Sequence, residues 1–87
     1  MSYQIEFSRR AEKNLKRLSR QDQKRISDKI DALAQEPRPS GVEKLQGRGE
    51  DAYRIRVGMY RVLYEIRDRE LVILVIKIGH RREVYRF

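Results

Sequence analysis

Apolar and polar side chains alternate over residues 53–66, in the second half of the chain. A period of two predicts β-strands with one buried and one solvated face. The positions predicted to point inward are Tyr53, Ile55, Val57, Tyr60, Val62, Tyr64 and Ile66. The positions predicted to point outward are Arg54, Arg56, Arg61, Leu63 and Glu65.

Gly58 and Met59 interrupt this alternation and predict a two-residue turn, for which glycine at the first position is favoured. The turn sets Val57 opposite Tyr60, and it sets Arg56 opposite Arg61. Like charges that face each other across two strands cost ~0.2–1 kcal/mol. The pairing therefore indicates a concentrated positive field, for which phosphate is the expected ligand.

The first half of the chain predicts one strand followed by two helices. Alternating apolar residues predict the strand over 3–7. Ser8 and Ser19 are suitable N-cap residues for helices that run to about residue 18 and to about residue 35. The apolar residues at helical spacing are Ala11, Leu15, Leu18, Ile26, Ile30, Leu33 and Ala34. The basic residues of these helices are expected to form a solvated outer face.

The segment 37–41, with two prolines and a glycine, ends the second helix. A loop to about residue 51 follows, in which Leu45 is expected to anchor the chain to the core. Three strands are predicted over 52–57, 60–66 and 71–78, with Asp68 and Arg69 in the last turn. The third strand is apolar on both faces over 71–76, so it is expected to be central in the sheet.

The predicted fold is α+β with the order β-α-α-β-β-β. A small, mainly antiparallel sheet carries a two-helix hairpin on one face, and residues 1–87 form a single domain. At 87 residues, the chain has room for one modest core.

Charge and composition narrow the class of partner. The chain has 21 Lys and Arg against 13 Asp and Glu, a net charge of +8, which favours a polyanionic partner such as nucleic acid. The absence of cysteine excludes disulfides and zinc fingers. The first residues do not resemble a signal peptide, and the longest apolar run is too short to cross a bilayer. A cytoplasmic protein without a membrane partner is expected.

Four short motifs resemble those of the RelE/ParE-type toxins of toxin–antitoxin modules. In chain order they are Lys44-Leu45-Gln46-Gly47, Tyr53-Arg54-Ile55-Arg56, Tyr60-Arg61-Val62-Leu63-Tyr64 and Ile78-Gly79-His80-Arg81-Arg82-Glu83-Val84-Tyr85. Their order and spacing cover nearly the whole chain. The resemblance implies a RelE-like fold.

Two activities compete within that superfamily. RelE-like members cleave mRNA in the ribosomal A site, whereas ParE-like members inhibit DNA gyrase and lack the nuclease residues. A C-terminal tyrosine combined with basic residues on the hairpin and after the last strand favours the RelE-like branch. A gyrase inhibitor without nuclease activity and a non-catalytic RNA-binding module remain the alternatives.

The resemblance implies a metal-independent endoribonuclease without a cofactor, in which the 2′-hydroxyl of the RNA attacks the adjacent phosphate. Guanidinium groups are suited to stabilise the charge that develops there. His80 and Tyr85 are the candidates for proton transfer. The predicted catalytic set is Arg54, Arg56, Arg61, His80, Arg81 and Tyr85. The predicted RNA-binding residues are Lys44, Arg48, Lys77 and Arg82.

One departure from the family pattern affects this chemistry. Arg54 and Arg56 stand where the prototype RelE-like proteins have lysines. Arginine stays charged, so these residues can stabilise a phosphate but cannot act as a base. The expected partners are a RelB-like antitoxin, the ribosome with its mRNA, and operator DNA reached through the antitoxin.

Overall fold

The computed structural model of the chain describes residues 2–45 and 52–80. These residues form the helices α1 (Arg9–Lys16) and α2 (Arg20–Leu33). They also form the strands β1 (Gln4–Phe7), β2 (Glu43–Lys44), β3 (Ala52–Val57), β4 (Tyr60–Arg67) and β5 (Val72–His80). The predicted α+β class and the predicted order of the larger elements are confirmed, with β2 as an addition.

The strands form one sheet in the order β1-β5-β4-β3-β2. β1 runs parallel to β5, and the other neighbouring pairs are antiparallel. The apolar strand β5 lies between β1 and β4, which confirms its predicted central position. On the helix-packed face, Ile26 and Ile30 of α2 join Ile55, Tyr64 and other strand residues in the core. We call the opposite side of the sheet the open face.

Both helices begin where the sequence predicts. The Ser8 hydroxyl accepts a hydrogen bond from the Ala11 N–H at 3.0 Å, and the Ser19 hydroxyl accepts one from Asp22 at 3.2 Å. Both helices end about two residues earlier than predicted. The amides that follow α1 bond three residues back, as Leu18 N–H does to the Leu15 carbonyl, and this tighter turn ends the α-helix. Neither helix of the described segments is long and apolar enough to cross a membrane.

The β2 strand replaces part of the predicted loop. It is an edge strand of two residues, with Glu43 opposite Arg54 and Lys44 opposite Tyr53. Leu45 N–H donates to the Ala52 carbonyl at 2.8 Å and so continues this pairing. Leu45 itself is half-buried, and Val42 of the same segment packs against the core. The anchoring role of Leu45 stays a prediction.

The β4–β5 connection has the predicted length but lies one residue later in the chain, between Arg67 and Val72. Residues 68–71 form the turn, and Leu71 adopts a positive φ of 56°. This end of the sheet is held by side chains. Arg38 donates to the Asp68 carboxylate and to the Tyr53 hydroxyl, each at 3.0 Å, and the Tyr3 hydroxyl donates to Asp68 at 2.5 Å. The network connects the chain after α2 to the turn and to β3.

A β-bulge interrupts the pairing of β5 with β4. Leu63 pairs with Lys77 but Tyr64 pairs with Val75, so Ile76 is the extra residue. Beyond the bulge the alternation of β5 is reversed. Ile78 therefore points to the helix-packed face, and Lys77 points to the open face. Without the bulge, the lysine would point toward the core and the isoleucine toward solvent.

Candidate nucleic-acid interface

Arg56 and Arg61 are direct partners across β3 and β4, as the sequence predicts. Side chains of paired residues emerge on the same side of a sheet, so both guanidinium groups belong to the open face. Arg54, two residues before Arg56, shares this face and keeps 19% of its side-chain surface exposed. Arg56 is exposed, whereas Arg61 is half-buried. The structure thus brings three of the predicted catalytic arginines together on one surface.

Glu43 is an acidic member of this surface that sequence reasoning missed. Its carboxylate accepts a hydrogen bond from Arg54, with 2.6 Å between Oε2 and Nη2. This contact is the main reason why the pKa of Glu43 lies below its usual range, and the charges of Arg61 and Arg56 lower the pKa further. All three guanidinium groups therefore act on one carboxylate, and the site favours an anion.

No sequence signal pointed to Glu43, because a two-residue strand has too little alternation to be recognised. The carboxylate reaches the arginines only because β2 adds to the edge of β3. The position of its oxygens indicates where the oxygens of another anion could bind to the guanidinium groups. A phosphate has the same charge sign and the same kind of acceptor oxygens, and it binds arginine through the same hydrogen bonds.

Leu63 and Lys77 extend the open face away from the arginines. Leu63 stands between Arg54 and Lys77 in the sheet and is only 1% exposed, although the alternation predicts an outward position. Its cross-strand neighbours both have long aliphatic stems, which are able to cover an apolar side chain while their charged ends stay in water. The predicted RNA-binding residue Lys77 is thus on the same face as Arg54.

His80 does not lie with the arginines. It pairs with Tyr60, and their rings meet edge to face with 6.1 Å between centroids. The Tyr60 hydroxyl donates to Asp22 of α2 at 3.1 Å, which identifies this as the helix-packed face. A cleft of about 280 Å³ lies there, lined by His80, Tyr60 and residues at the end of α1. His80 is separated from the arginines because the bulge in β5 reverses the side of the sheet that His80 faces.

Lys44 is also separated from the arginines. Its partner across the strands is Tyr53, whose side chain belongs to the core, so Lys44 projects from the edge on the helix-packed side. Four predicted site residues, Arg48, Arg81, Arg82 and Tyr85, lie outside the described residues. Within residues 2–45 and 52–80, no three His, Asp or Glu side chains are grouped as ligands for a metal ion.

Comparison with known proteins gives a consistent set of relatives. Residues 5–85 match the family described as ParE toxin of type II toxin–antitoxin system, parDE. The chain is 32% identical over 89 residues to the mRNA interferase toxin RelE of Escherichia coli strain K12, an alignment that covers 98% of this chain and 92% of that protein.

Solved structures extend the similarity to the fold. One is the archaeal RelE–RelB complex from Pyrococcus horikoshii OT3, which has a TM-score of 0.82 and 34% identity over 93% of this chain and 97% of that chain. Another is the intact E. coli RelBE toxin–antitoxin complex, with a TM-score of 0.80 and 28% identity over 91% and 96% of the two chains. The RelE-like fold predicted from the sequence motifs is confirmed.

Proposed function

This chain belongs to the ParE toxin family of type II toxin–antitoxin systems, and from that premise we propose that it is a ribosome-dependent mRNA endoribonuclease. In this proposal the toxin inhibits translation by cutting mRNA in the A site. The observation that carries the proposal is that Arg54, Arg56 and Arg61 share the open face of the sheet, where Arg54 already holds a carboxylate, Glu43. The relative named mRNA interferase toxin RelE supports the same activity.

The proposed reaction uses a nucleophile that the RNA carries itself. The 2′-oxygen loses its proton and attacks the adjacent phosphorus, and the bond from phosphorus to the 5′-oxygen breaks. The products are a 2′,3′-cyclic phosphate and a 5′-hydroxyl that has gained a proton. Negative charge accumulates on the non-bridging oxygens during this step, and preorganised guanidinium groups stabilise it without reorganising. No metal ion takes part in the steps proposed here.

Each arginine has a role that follows from its exposure. Arg56 is the most accessible of the three and is suited to capture the phosphate from solvent. Arg61 and Arg54 are partly buried, and their positions are fixed by the strands and, for Arg54, by Glu43. A fixed charge stabilises a transition state better than a mobile one, so Arg61 is proposed as the main stabilising group.

Tyr85 and His80 are the proposed candidates for proton transfer. The helix-packed location of His80 argues against direct contact with a phosphate held by Arg61, because the sheet lies between them. Tyr85 is therefore the preferred candidate. Cationic groups close to a tyrosine favour its phenolate form, which suits proton transfer near neutral pH. In the sequence, Tyr85 follows Arg81 and Arg82.

The proposal includes three partners. A RelB-like antitoxin is supported by the similarity to structures of RelE–RelB complexes. Such an antitoxin would inactivate the toxin by covering the arginines. The ribosome with its mRNA is the proposed target, and operator DNA is reached through the antitoxin. The net charge of +8 suits a surface that approaches RNA phosphates.

Primer-extension mapping of mRNA on programmed ribosomes tests this function. Wild-type protein is expected to cut in the A-site codon, and Arg61→Ala is expected to lower the rate by at least ~10²-fold. Arg67→Ala is the matched control, because Arg67 is an exposed arginine of the same strand and face that bonds only to nearby Glu65 among the described residues. Both variants should unfold as cooperatively as wild type.

Uncut mRNA with wild-type protein would contradict the proposal. If the protein instead inhibited DNA supercoiling by gyrase, it would be a ParE-like inhibitor. If RNA were bound but never cut and expression caused no growth arrest, the protein would be an RNA-binding module.

A further inference from the structure

A second group of basic residues lies outside the arginine cluster of the open face. It lines a cleft of about 570 Å³ between α1 and the C-terminal half of β5. We call this the α1 cleft. Its lining residues are Arg9, Arg10, Lys13, Asn14, Arg17 and Lys77.

Helical spacing explains why α1 presents these side chains together. Arg10, Lys13 and Arg17 are three and four residues apart and therefore follow one side of the helix. The apolar residues Ala11 and Leu15 lie on a different side, where they pack in or against the core. The sequence alone suggests a merely solvated outer face, whereas the fold gathers part of that face around a cavity.

The basic residues of the cleft have no acidic partner among residues 2–45 and 52–80, whereas some other surface cations do. Lys24 pairs with Asp28, Arg38 with Asp68 and Arg67 with Glu65. No ion pair within the described segments includes a basic residue of the α1 cleft. Five like charges around one cavity repel each other, and that repulsion is relieved by a ligand with several negative charges.

The α1 cleft is continuous with the open face through Lys77. β1 pairs with β5 only as far as Phe7 opposite Val75, so α1 borders the remaining part of β5. Asn14 marks this border, because its Oδ1 accepts a hydrogen bond from Ile78 N–H at 3.0 Å. Lys77 points to the open face beside Leu63 and also lines the cleft. Basic groups therefore follow one path from Arg54 to Arg17.

We infer that the α1 cleft binds backbone phosphates of the same RNA strand that the open face cuts, at nucleotides flanking the cut linkage. The inference rests on the proposed function for its choice of ligand. Positive grooves that follow a backbone are the usual means of holding a single strand, and they bind without reading its sequence. The α1 cleft thus anchors the strand, and Lys77 connects the anchor to the arginines.

The test is binding of a 2′-O-methylated single-stranded RNA of about 12 nucleotides, a length within the range that such grooves cover. This probe lacks the attacking hydroxyl and cannot be cut. The cleft variant is Lys13→Gln/Arg17→Gln. The control is Lys16→Gln/Arg69→Gln, which also removes one lysine and one arginine but from exposed positions outside the cleft. Fluorescence anisotropy is recorded over a series of salt concentrations.

The cleft variant should bind more weakly than the control. The slope of log K against log salt should decrease in magnitude by about 1.4, since two single-strand phosphate contacts are lost and each is worth ~0.7. Equal losses in the two variants would overturn the inference. So would weakened binding of an RNA hairpin duplex with unchanged binding of the single strand, which would assign the cleft to structured RNA. Unchanged RNA binding by the cleft variant would also overturn the inference. An acidic protein would then be the better candidate ligand of the α1 cleft.

This binding assay tests the α1 cleft separately from the proposed nuclease function. A protein that never cuts mRNA on ribosomes still reports on the α1 cleft in this assay, because the probe is not a substrate. Equal melting temperatures of both double variants confirm that the comparison concerns charge and not folding.

Discussion

The hydroxyl of Ser8 donates a hydrogen bond to the carbonyl of Ile76 at 2.7 Å, joining the cap of α1 to the bulged residue of β5. The same hydroxyl accepts the Ala11 amide, and the Ser8 amide donates to the Val75 carbonyl at 2.8 Å. One small side chain thus holds both a helix terminus and the irregularity that determines which residues of β5 reach the open face.

Removal of this hydroxyl should destabilise the fold more than removal of an ordinary cap. We expect Ser8→Ala to cost about 2 kcal/mol, the sum of a lost cap and a lost hydrogen bond to a partly buried carbonyl. Ser19→Ala, which removes only the cap of α2, should cost about 1 kcal/mol. Urea denaturation measures both values. Equal losses would contradict a special role for the Ser8–Ile76 bond.

Glu43 should weaken the binding of RNA phosphates, because its carboxylate already accepts a hydrogen bond from Arg54 and so competes with a phosphate for that guanidinium group. We expect Glu43→Gln to tighten binding of uncleavable RNA by about fivefold, the equivalent of ~1 kcal/mol. Fluorescence anisotropy at fixed salt measures the change. Glu36→Gln is a suitable control, since it removes an exposed acidic charge that lies beyond the open face. An unchanged or lower affinity of Glu43→Gln would show that the carboxylate does not compete with phosphate.

The network at Asp68 should make stability depend on pH on the acid side. The hydrogen bond from Arg38, and then the one from Tyr3, hold the pKa of Asp68 below its usual range. A carboxylate with a lowered folded-state pKa stabilises the protein above its unfolded-state pKa, and this contribution disappears as pH falls through the folded-state pKa. Asp68→Asn should therefore lower the melting temperature at neutral pH and have progressively less effect as the pH falls through the folded-state pKa of Asp68.

Calorimetry of wild type and Asp68→Asn across this pH range measures the difference between their melting temperatures. Asp28→Asn is the control, because it breaks an exposed pair within one helix, and such pairs contribute little. A difference for Asp68→Asn that stays constant into acid would contradict the assignment.

Tyr85 should matter to cleavage through its hydroxyl. We expect Tyr85→Phe to lower the rate of A-site cleavage by about 10²-fold, within the range of general acid–base catalysis. His80→Gln should lower it less, since the sheet separates His80 from the arginines. Tyr3→Phe controls for loss of a tyrosine hydroxyl at the Asp68 network. Single-turnover cleavage on programmed ribosomes measures all three variants, and an unchanged cleavage rate for Tyr85→Phe would show that the Tyr85 hydroxyl does not transfer the proton.

Local patterns predicted the regular hairpin correctly. Alternation placed Tyr53, Ile55 and Val62 inward, and Gly58 fixed the register because a two-residue turn leaves only one way to pair the strands. Gly58 adopts a φ of 59°, which is the backbone conformation that such a turn requires. The pairing of Arg56 with Arg61 follows directly from that turn.

The departures from regularity were not predictable in the same way. The bulge at Ile76 lies in a run that is apolar on both faces, so no change of alternation marks it. Its stabilising partner, Ser8, is 68 residues away in sequence. The β2 strand depends on an edge of β3 that exists only in the folded sheet. The positions of His80 and Glu43 follow from these two features and are therefore visible only in three dimensions.

The opposition of Arg56 and Arg61 has a thermodynamic consequence for the whole molecule. Their mutual repulsion is present in the folded chain and largely relieved when the chain unfolds, so the free protein is held below the stability that its packing permits. By linkage, an anion that binds there favours the native state over the denatured one, by about 2.7 kcal/mol at a concentration 100 times its dissociation constant. A nucleic acid and an acidic inhibitor would thus both act as thermal protectants of this fold.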